Sequence, residues 1–104
     1  MKWSENLTGK QVRVLRGLGH HLSPKVMIGR QGITDHFIAS AEAVLVTDEL
    51  IKIKIASSSE VDRQQAAVVI AERTKSSIVQ VLGKTILLYR ENKEKKAVKK
   101  IQLP

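Results

Sequence analysis

The sequence predicts a single α/β domain with element order α-β-α-β-α-β-β, a four-stranded mixed sheet packed with helices. Three observations predict it. Leu50-Ile51-Lys52-Ile53-Lys54-Ile55-Ala56 alternates apolar and polar residues, the mark of a strand with one buried face. Before and after it, apolar residues recur at helical spacing. Near the end, apolar runs at 78–82 and 85–90 flank Gly83-Lys84, and two residues led by glycine suit a type II′ hairpin. Strands separated by helices argue for right-handed crossovers and parallel pairing, while the hairpin makes the last strand antiparallel. Two crossovers stepping the same way place the second and third helices on one sheet face.

Thr8-Gly9-Lys10-Gln11 has the form of a capping box, with Leu7 and Val12 placed as a hydrophobic staple. Helix one then runs over about 8–20, with Val12, Val14, Leu15 and Leu18 on one side, and Pro24 stops any continuation. A short strand follows at 25–28, then the loop Gly29-Arg30-Gln31-Gly32. Thr34 is a good N-cap for a second helix over about 35–47, with Ile38, Ala41, Val44 and Leu45 inward. Ile51, Ile53 and Ile55 face the core of the next strand, while Lys52 and Lys54 face out. Ser57-Ser58-Ser59 is a polar break before a third helix over about 60–75, with Ala66, Val69, Ile70 and Arg73 along one side. The domain is expected over 1–91. Residues 92–104 read as a basic, disordered tail with little to bury.

A chain of 104 residues can bury roughly two thirds of its unfolded surface, so one core is feasible. It has no cysteine, hence no disulfide framework and no thiolate metal site. No apolar run reaches ~18 residues, so a soluble, cytoplasmic protein with no membrane partner is expected. The net charge of +8 points to a polyanionic partner. That charge is uneven. Residues 1–34 hold six Lys/Arg against one Glu, and 92–104 hold five Lys against one Glu, while the middle is close to balanced.

The glycine loop gives the charge a purpose. Glycine accepts positive φ and lets another backbone come close. Gly29 and Gly32 bracket Arg30 and Gln31 between a strand and a helix start, where amides and the helix dipole favour an anion. Arg30 adds a fork for a phosphate. The device suits a sugar-phosphate backbone, as in loops that clamp nucleotides. It lacks the third glycine of the dinucleotide fingerprint and the Gly-Lys-Ser/Thr of a P-loop. Alone, it also fits an ordinary tight turn. On the first helix Lys10, Arg13, Arg16 and His20 fall within about a third of the circumference, and no acidic residue lies between Lys10 and Arg30. Lys25 leads into the loop. Lys52, Lys54 and Lys84 extend the candidate surface, although strands and turns facing water commonly carry lysine.

The stretches LTGKQVRVLRGLGHHLSPKVMIGRQGIT and VQVLGKTILLYR resemble the CRM domain (chloroplast RNA splicing and ribosome maturation), in particular its bacterial single-domain YhbY-like members. The resemblance covers residues 7 to about 91. Gly19 and His21 depart from it, standing where the family often has Ala and Pro. It implies an RNA-binding domain with a fold similar to the C-terminal domain of translation initiation factor three. It also implies association with ribosomal RNA in precursors of the large subunit. The family's loop maps onto Gly29, Arg30, Gln31 and Gly32, and its basic helix onto Arg16 and His20.

Other classes are weaker. His20, His21 and His36 do not make a metal set, since neighbours on a helix diverge by about 100° and no Cys or Glu completes it. The close carboxylates Asp48/Glu49 and Glu60/Asp62 sit at element ends without a nucleophile-base pair, so no enzyme and no cofactor are expected. Aromatics are few: Trp3, Phe37 and Tyr89. Phe37 reads as core, and Tyr89 as core or a lone stacking group. Recognition should therefore lean on backbone and shape. A monomer is expected. The remaining alternative is a protein-interaction adaptor on the ribosome with incidental basic patches.

Overall fold

Thr8 opens the first helix through the box its sequence encodes. In the computed structural model, which describes residues 7–92 and 101–104, the Gln11 N–H donates to the Thr8 hydroxyl at 3.1 Å and the Thr8 N–H to the Gln11 side chain at 3.0 Å. Two of the helix's orphan donors or entry groups are thus satisfied. Thr8→Ala is expected to cost about 1 kcal/mol, read as a lower urea midpoint; an unchanged midpoint would remove the box from the account.

The elements are α1 (Gly9–Gly19), β1 (Val26–Ile28), α2 (Asp35–Asp48), β2 (Leu50–Ile55), α3 (Arg63–Thr74), β3 (Ser77–Leu82) and β4 (Thr85–Tyr89). Thr34 caps α2 by accepting the Phe37 N–H at 3.0 Å. Asp62 caps α3 by accepting the Gln65 N–H at 2.9 Å, so this helix starts later than expected. Gly83 takes φ +58° at the first turn residue, as a II′ hairpin requires.

The sheet order is β1-β2-β4-β3. β1 pairs parallel to β2, while β4 is antiparallel to both β2 and β3. Only the first crossover therefore joins adjacent strands. The second steps over one place, and β4 fills the gap.

Two cores lie on opposite sheet faces. On one, Ile28, Ile51, Ile53, Ile55, Ile86 and Leu88 pack under α2 and α3, the single-face arrangement expected for these helices. Phe37 belongs to this core. α3 is rotated from its expected stripe: it buries Ala66, Ala67, Ile70 and Ala71, while Val69 and Arg73 look outward. On the other face, Leu15 of α1 packs with Leu50, Val79, Leu87 and Tyr89, which places Tyr89 in a core. Gly19 lies so close to the sheet that a Cβ there would overlap Leu87. Leu18, expected inward, is 43% exposed at the helix flank. A register shift between Ile78 and Gln80 lets Ile78 serve the first core and Val79 the second.

The C-terminus departs from the sequence reading. The lysine run at 93–100 lies outside the described residues. Residues 101–104, assigned to a disordered tail, lie against the domain. Ile101 and Leu103 pack on the second core beside Leu7, Val12 and Leu22. Gln11 donates to the Pro104 carbonyl at 2.9 Å. The physical reason is that the 11-residue α1 is too short to cover that face alone. Glu49 fastens this return. It is fully buried, and its carboxylate accepts the N–H of Asn92 and of Ile101, each at 2.8 Å.

Candidate nucleic-acid interface

β1 is an edge strand of three residues, so among the described residues one side of its backbone has no strand partner. It ends in the glycine loop. There the Gly32 N–H donates to the Gly29 carbonyl at 3.1 Å, closing a four-residue turn with Arg30 and Gln31 at its exposed tip. Gly32 needs its glycine because φ is +75°, a left-handed conformation that side chains rarely adopt. Gly29 has no such restraint in the free protein: its φ is not positive, and nothing lies within 4 Å of a Cβ built there. Its value would lie in what comes close from outside.

A cleft of about 500 Å³ runs along this edge, between β1, the loop and the first two turns of α2. Of the expected residues, Lys25, Gly29, Arg30, Gln31 and Gly32 line it. Met27, His36 and Ser40 line it as well, and the sequence reading missed them. The signal was available: His36 and Ser40 are four apart on the helix that follows the loop, hence on one face.

Charge around the cleft is partly committed. Lys25 Nζ lies 2.6 Å from Asp48, whose side chain is only 17% exposed. Asp35, in the first turn of α2, pairs with Arg73 at 2.8 Å. Both partners are substantially exposed, so that pair is worth little. Arg30 is exposed at the turn tip.

The other expected residues lie elsewhere. Lys10, Arg13, Arg16 and His20 are exposed on α1, across the sheet from α2 and α3. Lys52 and Lys54 sit on that same sheet face, Lys52 half-buried and Lys54 exposed. Lys84 is in the hairpin turn, and its carbonyl accepts the Ile55 N–H at 2.8 Å. Because Ile55 pairs with Ile28, the turn and the glycine loop share one end of the sheet. Among the described residues, no group of three or more His, Cys, Asp or Glu could hold a metal ion. No helix there is long and apolar enough to cross a membrane.

Comparison with known proteins completes the description. The chain is 41% identical over 98 residues to a Haemophilus influenzae protein named RNA-binding protein, covering 94% of this chain and 95% of that one. It is 40% identical over 98 residues to the probable RNA-binding protein YqeI of Bacillus subtilis, covering 94% and 99%. The solution structure of a Staphylococcus aureus protein, described as a candidate RNA-binding protein, matches with a TM-score of 0.77 at 40% identity, covering 94% and 99%. Residues 7–90 match the CRS1 / YhbY (CRM) domain, and this chain belongs to that family.

Proposed function

We propose that this protein binds RNA without chemical turnover, and that its target is ribosomal RNA in precursors of the large subunit. The reading rests above all on one observation, the segregation of charge across the sheet. α1 and the four strands carry Lys10, Arg13, Arg16, Lys52 and Lys54 and no acidic residue. α2 and α3, on the opposite side, carry Asp35, Glu42, Asp48 and Glu72 against Arg63 and Arg73. A polyanion is thus drawn more strongly to the α1 side. The glycine loop, at the sheet end, supplies a place for close backbone approach. The names of the relatives support RNA as the polyanion.

Salt titration tests the surface. If about five basic groups touch phosphates of unpaired RNA, log K against log salt has a slope near −3.5. Arg16→Ala and Arg30→Ala should each reduce its magnitude by about 0.7. Both side chains are exposed, so circular dichroism should report an unchanged fold. A folded double variant that binds like the parent at every salt concentration places the RNA surface elsewhere. In-cell crosslinking with sequencing tests the target, and reads spread evenly over unrelated transcripts would remove the ribosomal assignment.

A further inference from the structure

α1 leaves the outer half of its sheet face uncovered, and a row of four side chains, one per strand, crosses it. The register sets Met27 beside Lys54, Lys54 beside Thr85, and Thr85 beside Leu82. Their neighbours Ile28, Ile55, Ile86 and Val81 pack in the α2–α3 core, so these four point the other way. Met27 is 58% exposed and Leu82 60%, the most exposed large apolar side chains among the described residues. At about 4.8 Å per strand spacing, the row is about 14 Å long. A sheet face turned to water is normally polar along its length. This one has an apolar residue at each end with Lys54 and Thr85 between.

The row is continuous with the loop cleft. Met27 lines that cleft and also a second depression of about 430 Å³, walled by Pro24, Lys25, Val26 and Lys54. The edge strand is thus a low wall between the two, with Met27 on it. At the other end, Leu82 precedes the turn that carries Lys84. No acidic residue lies on any of the strands, and the carboxylate bonded to Lys25 belongs to Asp48 beyond them.

We infer that unpaired RNA entering at the glycine loop continues across this row, with base faces against Met27 and Leu82 and phosphates near Lys54 and Lys84. The inference rests on the RNA-binding reading and extends its footprint. Bases in a duplex keep their faces stacked inside, so only a single strand can lay them on a sheet. A methionine thioether is polarizable and favourable against an aromatic ring, and leucine offers plain apolar area. Such contacts tolerate any base, because every base has a face.

The test is Met27→Ser with Leu82→Ser. Affinity for an unpaired oligonucleotide should fall on the order of tenfold at every salt concentration, from lost apolar burial. The salt slope should not change, since no phosphate contact is removed. Lys54→Gln should instead lower the slope magnitude by about 0.7. A blunt duplex should bind parent and double variant alike. On the unaltered protein, 4-thiouridine RNA should crosslink to residues 26–28 and 82–85, whatever the variants' folding. Parent-like binding of unpaired RNA by a folded double variant, or crosslinks confined to residues 29–32, overturns the sheet platform and leaves the RNA reading intact. The same holds if the variant binds RNA normally but no longer associates with ribonuclease-treated ribosomal particles, since the row is then a protein contact. A parent that binds no RNA overturns both readings.

Discussion

Glu49→Ala is expected to lower stability by about 2–4 kcal/mol, a drop in melting temperature on the order of 10–20 °C for a domain this size. Glu49 stands between the end of α2 and the start of β2, and joins three parts of the chain. Its carbonyl accepts the Arg90 N–H at 2.8 Å, just beyond β4. Its carboxylate accepts the N–H groups of Asn92 and Ile101. Removing this buried acceptor leaves two backbone donors to find other partners. The backbone adds a second signature. Glu49 has φ 64° and ψ −41°, near the strained γ-turn conformation that non-glycine residues rarely adopt. Glu49→Gly loses the same carboxylate but relieves that strain, so it should be more stable than Glu49→Ala by about 1 kcal/mol. Truncation after residue 92 removes the Ile101 donor, and should shrink the effect of Glu49→Ala. Thermal and urea unfolding measure all of these. An alanine variant that melts with the parent would mean that the C-terminal return is not held by this carboxylate.

The two loop glycines should separate by mechanism. Gly29→Val is expected to leave the unfolding midpoint unchanged, because space around its Cβ is open. It should nevertheless weaken RNA binding on the order of a hundredfold. Blocking the approach to the loop forfeits about two amide contacts to charged phosphate oxygens at about 1.5 kcal/mol each. Gly32→Val should destabilise the free protein by about 1–2 kcal/mol through its left-handed φ, and weaken binding besides. Each glycine variant should cost more affinity than Arg30→Ala, which removes a single screened charge. Unfolding curves and fluorescence anisotropy on the same preparations decide it. A Gly29→Val variant with parental affinity would show that the ligand does not approach the loop closely.

Local chemistry was readable where one signal decided the structure. Alternation over 50–56 put three isoleucines in one core, Thr8 and Gln11 marked the first helix start, and Gly83 marked the hairpin. What depended on distant partners was not readable. The third helix turned because α3 packs small alanines rather than Val69 against the sheet. The place of β4 between β2 and β3 has no local signature. Glu49 looked like an ordinary turn carboxylate, since its donors come from the far end of the chain. At the candidate site the glycines and Arg30 announced themselves. Met27, His36 and Ser40 join the cleft only once β1 is an edge and α2 folds beside it. The α1 stripe was legible as a stripe, but helical periodicity could not say on which side of the sheet it would lie.

The strand order also governs how the molecule comes together in time. β4 is the last strand among the described residues yet central in the sheet. Until residues 85–89 have been synthesised, β2 has one bare edge and β3 has no neighbour at all. The second core then lacks Leu87 and Tyr89, leaving α1 only Leu50 and Val79 to rest upon. The β3–β4 hairpin closes locally within microseconds once both strands exist. Its docking against β2 is the long-range step that ties the two halves of the chain together. An emerging chain stopped short of residue 85 therefore presents an open sheet edge, the feature that invites pairing with other chains.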